Sequence, residues 1–201
     1  MRLLLIRHGE TADNAGRTIG SRLPGPTLSA IGNAQAVALG EALAPEGLVR
    51  IHSSRALRAV QTAVAAANAL GIPHVELDGA QEIDAGDLEG RTYAEAMSGY
   101  AGTMQQWWTD RDARIPGGES GTEFMERFDR AIRTITVGGD AVAALVAHEA
   151  AITVWASSTA SNLDAAFSRV HGVRNTGIVA LDGSPDAGWR ALSWDGLTLA
   201  R

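Results

Sequence analysis

Short, nearly all-apolar runs alternate along this chain with segments whose apolar residues recur every three or four positions. That alternation is the pattern of an α/β protein built on a parallel-rich sheet. Residues 3–6 (Leu-Leu-Leu-Ile) form the first expected strand, apolar on both faces as a strand covered on both sides must be. After a Gly/Pro-rich stretch from Gly20 to Pro26, a helix is expected with Ser29 as N-cap, running toward Ala44 and stopped by Pro45. Leu48 to His52 reads as a second strand. Leu57, Val60, Val64, Ala67 and Leu70 then repeat at helical steps, with Gly71 and Pro73 closing the helix. His74 to Leu77 is a third strand.

Residues 79–118 are less regular and hold Tyr93, Tyr100, Trp107 and Trp108. Beyond them, Ser120 and Glu123 have capping-box spacing, and Phe124, Phe128, Ile132 and Ile135 continue a helical stripe. Ala141 to Ala147 is a later strand. The tail from Thr176 to Trp194 reads as two strands joined by a Gly/Ser/Pro/Asp turn. No repeat, linker or low-complexity segment interrupts this order. The pattern predicts one domain over residues 1–201, a three-layer α/β/α sandwich around a mostly parallel central sheet, with 79–118 as a candidate cap or lid.

Composition narrows the chemistry. The 201 residues are 45% hydrophobic and 20% charged, enough to bury a full core. A net charge of −6 argues against a general nucleic-acid binder, which would present a basic face. With no cysteine, disulfide scaffolds, thiolate metal sites and cysteine nucleophiles are excluded. The apolar run at the N-terminus is too short for the core of a signal peptide, and no stretch approaches the ~18 apolar residues of a membrane span. The expected setting is cytoplasmic, with neither membrane nor nucleic acid as partner. Nothing in the pattern specifies an oligomeric state.

Three polar clusters each end an expected strand: Arg7-His8-Gly9-Glu10; Ser53-Ser54-Arg55 with Arg58, Gln61 and Thr62 behind it; and His148-Glu149. Singly, each fits a solvated turn, a charged helix face or a structural histidine. Together they are harder to dismiss, because one sheet would gather the three strand ends where open α/β sheets bind ligands. Arginine offers a planar fork of donors suited to phosphate, histidine is a nucleophile at neutral pH, and Gly9 lets backbone approach a ligand. The second cluster sits at a strand-to-helix junction that favours an anion.

Phosphoryl transfer needs fixed positive donors, a nucleophile and an acid for the leaving group. Arg7, Arg58, His8 and His148 supply the first two. Glu82 is the candidate acid, in a segment that also carries Asp84, Asp87 and Glu89. Spacing alone selects none of the four, and a solvated acidic loop accounts for at least two of the others. His148-Glu149 is not a zinc-protease motif, since the second histidine it requires falls on Ile152. A phosphate-binding-loop lysine is absent because the chain has no lysine. His52, His74 and His171 lack ligand spacing and read as surface or structural.

Taken in order, these runs resemble the histidine phosphatase superfamily, also called phosphoglycerate mutase-like, from Met1 to about Leu181. The matching pieces are Arg7-His8-Gly9-Glu10-Thr11 with Asn14; Leu28 and Ser29 with Gly32 and Gln35; Ser53-Ser54 with Arg58, Gln61, Thr62 and Ala63; Glu82 with Gly86 and Glu89-Gly90; Gly118-Glu119-Ser120; His148; and Asn175. The resemblance implies His8 as phosphorylated nucleophile, with Arg7, Arg58 and His148 gripping phosphoryl oxygens and Asn14 as a further donor. It implies Glu82 as proton donor and then base toward water, help worth about 10²–10⁴-fold. It also implies a small phosphorylated metabolite as partner and no metal or other cofactor.

Two departures stand out. Glu149 occupies a position where the family usually has glycine. Pointing inward it would repel phosphate and favour a protonated His148; the expectation is that it points to solvent and is idle. Ile19-Gly20 replaces a polar Gln-Gly or Thr-Gly step. Gly20, Asn14 and Glu149 are therefore the candidate substrate-binding positions beside the catalytic set.

The leading expectation is hydrolysis of a small phosphomonoester. A phosphoglycerate mutase would carry extra basic residues, lysine included, in a longer middle segment; here that segment offers Arg91, Arg111 and Arg114 mixed with Asp110 and Asp112. A non-catalytic phosphate binder would normally have lost the nucleophile or the acid, and this chain keeps both. Tyr100, Trp107 and Trp108 are expected over the pocket as a cap, the alternative being that the tryptophans anchor a helix in the core.

Overall fold

In a computed structural model, which describes residues 1–199, the apolar runs form one seven-stranded sheet with helices on both faces. The first half of the chain runs β1 (Arg2–Arg7), α1 (Ala12–Gly16), α2 (Ala30–Leu43), β2 (Ile51–Ser54), α3 (Leu57–Leu70) and β3 (His74–Leu77). The irregular middle holds two short helices, α4 (Tyr93–Ala96) and α5 (Ala101–Gln106). The second half supplies α6 (Gly121–Thr136), β4 (Val142–Ala147), α7 (Glu149–Thr159), α8 (Ala165–Val170), β5 (Ile178–Ser184), β6 (Gly188–Trp194) and β7 (Leu197–Thr198).

The strand order is β3-β2-β4-β1-β5-β6-β7. β3, β2, β4 and β1 pair in parallel, while β5, β6 and β7 extend the sheet as an antiparallel meander, so five of the seven strands point one way. The expected mostly parallel three-layer sandwich is present. Among the described residues, no helix is long and apolar enough to cross a membrane.

Strand alternation divides the core in two. Leu3 and Leu5 of β1, with Leu145 and Ala147 of β4, pack among Phe124, Phe128 and Ile132 of α6 and Trp155 of α7. Leu4 and Ile6, with Ala144 and Val146, face the other way into Leu39 and Leu43 of α2 and Ala59, Ala63 and Ala66 of α3. The helices themselves begin and end on the expected signals. Ser29 accepts from Gly32 N at 3.0 Å, Ser120 and Glu123 close a capping box, and Gly71 ends α3 in the left-handed region at φ 67°.

Two expectations need correction here. The second strand begins at Ile51, not Leu48: Pro45 sits in a 3₁₀ turn (Ala44–Glu46), and the chain pairs only once Ile51 is opposite His74 and Ala144. Trp107 is no cap residue. It is buried, stacks on Phe124 with ring centroids 5.9 Å apart, and donates from Nε1 to Ala113 O at 2.8 Å.

The loop after β1 is pressed directly onto α2. A Cβ on Gly9 would lie 2.7 Å from Gly32 O, and a Cβ on Gly32 would collide with the backbone of Glu10. Gly32→Ala is therefore expected to lower stability by about 1–3 kcal/mol, the usual cost of forcing extra volume into a packed site. Urea denaturation measures this, and an unchanged midpoint would contradict the close approach.

Candidate functional site

The parallel strands bring three of the sequence clusters to one sheet edge. β1 and β4 are neighbours with Arg7 opposite Ala147, and β2 lies on the far side of β4 with Ser53 opposite Val146. Their carboxyl ends therefore deliver His8, His148 and Ser54 side by side. The helices that follow diverge there: α2 covers one sheet face and α7 the other, which opens a crevice between β1 and β4.

His8 and His148 are buried with ring centroids 5.2 Å apart. His8 Nδ1 lies 2.7 Å from the carbonyl of Gly9. A carbonyl only accepts, so Nδ1 carries the proton and Nε2 presents its lone pair. Arg58, from the first turn of α3, donates through Nε to His8 Nε2 at 3.1 Å and through Nη2 to His148 Nδ1 at 3.1 Å and Gly20 O at 3.0 Å. With Nδ1 of His148 accepting, its Nε2–H donates to Ser54 Oγ at 2.7 Å. Burial, reinforced by the Arg58 guanidinium, holds both imidazoles well below the ordinary histidine value. Arg7 Nε and Arg58 Nη1 are buried without a hydrogen-bond partner. An entering anion would meet an arrangement rich in donors and poor in acceptors.

Glu82 approaches from the loop after β3. One carboxylate oxygen accepts from Ile83 N at 2.9 Å and Ala151 N at 2.8 Å, and the other from Ala150 N at 3.1 Å. Its side chain thus caps the first turn of α7, whose own N-cap residue, His148, makes no capping bond. Burial pushes the Glu82 carboxyl up, and these amides and Arg58 only partly reverse the shift.

One cavity of about 540 Å³ contains all five candidate catalytic residues except His148, which lies buried behind Arg58 and Ser54, and it also contains Asn14, Gly20 and Glu149. Asn14 spends its Oδ1 on Thr11 N and on Asn175 Nδ2, which also donates to His8 O. Asn14 and Asn175 thereby brace the loop that carries His8. Trp108, half-buried, and Tyr100 line the cavity, the latter donating to Ile83 O at 3.0 Å. Arg91, Arg111 and Arg114 do not line it.

Asp84 and Asp87 are exposed, the two solvated acids expected of that segment, whereas Glu89 accepts from Ser21 N, Ser21 Oγ and Arg22 N and pins the Gly/Pro-rich loop. The sequence reading also missed Arg127, in α6. It donates to Gly79 O, Gln81 O and Glu82 O while paired two-pronged with Glu119 at 2.6 and 2.8 Å. Its only signal was a place in a helix with Arg130 and Arg133, which looks like any solvated face. Of the remaining histidines, His74 Nε2 meets Ser53 Oγ at 2.8 Å, His171 stacks on Phe167 at 4.0 Å, and His52 is buried in β2 rather than at the surface. Among the described residues no cluster of three or more His, Asp or Glu side chains is placed to hold a metal ion.

A three-layer α/β sandwich with a histidine pair and arginines at its parallel strand ends defines a narrow class of phosphate-handling proteins. The family model for the histidine phosphatase superfamily (branch 1) matches residues 3–195, and the chain belongs to that superfamily. It is 33% identical over 210 residues to the PE-PGRS family protein PE_PGRS11 of Mycobacterium tuberculosis, covering 96% of this chain and 36% of that protein. It is 32% identical over 196 residues to the probable phosphoglycerate mutase GpmB of Salmonella paratyphi B, covering 96% and 90%. Among solved structures, it is similar to a mycobacterial glucosyl-3-phosphoglycerate phosphatase in complex with VO3, with a TM-score of 0.81, 28% identity and coverage of 96% and 98%. The chain spans 36% to 40% of the length of the first curated relatives it matches.

Glu149 does not point to solvent as expected. Its Oε2 lies 2.6 Å from Arg7 Nη1, which also donates to Val173 O at 2.7 Å. Burial and the neighbouring cations hold the His148 ring well below the ordinary histidine value, so Glu149 does not keep it protonated. What it does is occupy Arg7. An anion must displace or share that carboxylate and bear its repulsion. Glu149→Gln is expected to tighten inorganic phosphate roughly three- to tenfold, about 0.7–1.4 kcal/mol, as read by isothermal titration calorimetry. Equal or weaker binding would contradict this competition.

Proposed function

We propose that the chain is a phosphomonoesterase that works through a phosphohistidine on His8. The observation that carries this reading is the His8 ring, locked by Gly9 O so that Nε2 carries the lone pair, which accepts from the buried Arg58 guanidinium until a phosphoryl group takes that donor over. His8 Nε2 attacks phosphorus and the P–O bond to the leaving alcohol breaks. Glu82, protonated, hands its proton to the departing oxygen. Water then attacks the phosphohistidine while the Glu82 carboxylate takes its proton, the P–N bond breaks, and phosphate leaves. Arg7 and Arg58 meet the phosphoryl charge in the cavity, His148 backs Arg58 from behind, and no step is routed through a metal. A phosphoryl dianion among these groups would itself favour the protonated form of His148.

The expected partner is a small phosphorylated metabolite met in the cytoplasm, and residues 79–118 serve as the cap of a single domain. A mutase would need cations for a sugar-acid carboxylate, and the arginines of the middle segment lie away from the cavity.

The pH dependence follows from the two shifts. With ordinary values of 6.5 and 4.5, at most about 1% of molecules would hold a neutral histidine and a protonated glutamate together at any pH. Lowering His8 and raising Glu82 both enlarge that fraction. kcat/KM is therefore expected to fall on the acid side as His8 gains a proton, with its inflection below 6.5, and on the alkaline side as Glu82 loses one, above 4.5. Glu82→Gln should remove the alkaline limb, leaving the substrate's own ionisation near ~6. It should cost alkyl esters about 10²–10⁴-fold and aryl esters, whose alcohols leave unaided, far less. An alkaline limb that persists in Glu82→Gln with its original inflection, and does not move when the substrate's phosphate ionisation is changed, would rule out the assigned acid.

His8→Ala is expected to abolish turnover and the acid-labile phosphoprotein seen on rapid quench. Retained turnover of a generic aryl phosphate would sink the mechanism.

A further inference from the structure

Beyond the phosphate-gripping groups, the cavity changes character. One wall comes from α4, α5 and the loop at Ile19, with Met97, Met104 and Trp108; the other comes from α7 and α8, with Val154 and Val170. Ile19, Met104 and Val154 are buried, whereas Met97 is 61% and Val170 75% exposed although both line the cavity. Large apolar side chains that stand in water at a pocket mouth, continuous with an apolar interior, mark a surface that gains by being covered. The whole cavity, about 540 Å³, is in the range that encloses a ligand much larger than a phosphoryl group.

Charge in this outer part argues the same way. Asp13 and Glu149 are its acids, and the one further cation, Arg169, is exposed at the rim. A carboxylate on the leaving group would meet two acids and only a solvated arginine. Hydroxyl groups of a sugar or polyol would give up water for walls in which thioether, indole and aliphatic carbon outweigh the few hydrogen-bonding side chains, Thr18, Tyr93, Gln105, Thr153 and Ser168.

From these walls we infer the substrate class: the leaving alcohol is apolar and uncharged, so the substrate is a monoalkyl or monoaryl phosphate rather than a phosphorylated sugar, polyol or sugar acid. This rests on the phosphomonoesterase reading above. The phosphate sits at His8 and Arg58, and the alkyl or aryl body lies between Trp108 and Val154 and emerges past Met97 and Val170.

The test compares primary-alcohol esters of similar leaving-group basicity, so that only the body differs: hexyl and 2-phenylethyl phosphate against glycerol 1-phosphate and glucose 6-phosphate, with 3-phosphoglycerate as the carboxylate probe. The expected result is a kcat/KM at least thirtyfold higher for the apolar pair, about 2 kcal/mol at 1.4 kcal/mol per factor of ten. In Trp108→Ala that ratio should fall about tenfold. Equal or better turnover of the polar esters, with phosphohistidine still forming on His8, would overturn the substrate class and leave the phosphatase reading intact. An unchanged ratio in Trp108→Ala would overturn the assigned wall. No turnover of any ester, 4-nitrophenyl phosphate included, with no phosphohistidine, would instead overturn the phosphatase reading and the substrate class with it.

Discussion

A buried cation organises this site. Arg58 is 3% exposed, and its guanidinium donates to His8, His148 and the Gly20 carbonyl, all of them neutral. Burying a charge without a counter-charge in contact is costly, and proteins normally pair it or leave it solvated. Here the surrounding fold holds it regardless: α3 starts where β2 ends, and the first turn of that helix projects Arg58 across the ends of β1 and β4. Burial, reinforced by the same field, disfavours the charged form of both imidazoles, so neither adds a second buried charge. A guanidinium so held is one whose burial cost an entering dianion would offset, in keeping with the proposed phosphoryl site.

Hydrogen bonds tie the neighbouring loop to this cation. Thr62 Oγ1 accepts from Gly9 N at 2.9 Å and donates to Arg58 O at 2.7 Å, tying the loop after β1 to the helix that carries the cation. Asn175 ties the other flank of the loop by donating to His8 O. An imidazole held on both sides and by its own Nδ1–H has little freedom left to lose, so the orientation that the proposed attack requires is already set.

The parts legible in the sequence were those governed by local rules. Apolar runs such as residues 3–6, the Ser29 cap and the Gly71 stop depend on a few neighbouring residues, and the clusters at strand ends follow once the strands are parallel. What escaped was long-range. Glu149 reaches Arg7 across the gap between β4 and β1, and Glu89 reaches Ser21 across 68 positions; no local pattern encodes either. Trp107 and Trp108 are adjacent and chemically identical, yet one stacks on Phe124 and the other lines the cavity. Only the irregular path of residues 79–118 separates their fates, and that path is set by tertiary contacts such as Tyr100 with Ile83.

Arg127 shows how such contacts reach the chemistry. Its guanidinium holds three carbonyls of the loop after β3, those of Gly79, Gln81 and Glu82, while Glu119 fixes it from behind and accepts from Asp84 N at 2.8 Å. The Glu82 carboxyl is held at its other end by the first amides of α7. Both α6 and α7 pack on the same sheet face, so the acid is bolted to the core at its backbone and at its side chain. Those amides favour the carboxylate and burial favours the acid, and burial wins. A carboxyl so placed is stable enough in either form to give a proton to one oxygen and take one from the next, without moving between the two steps.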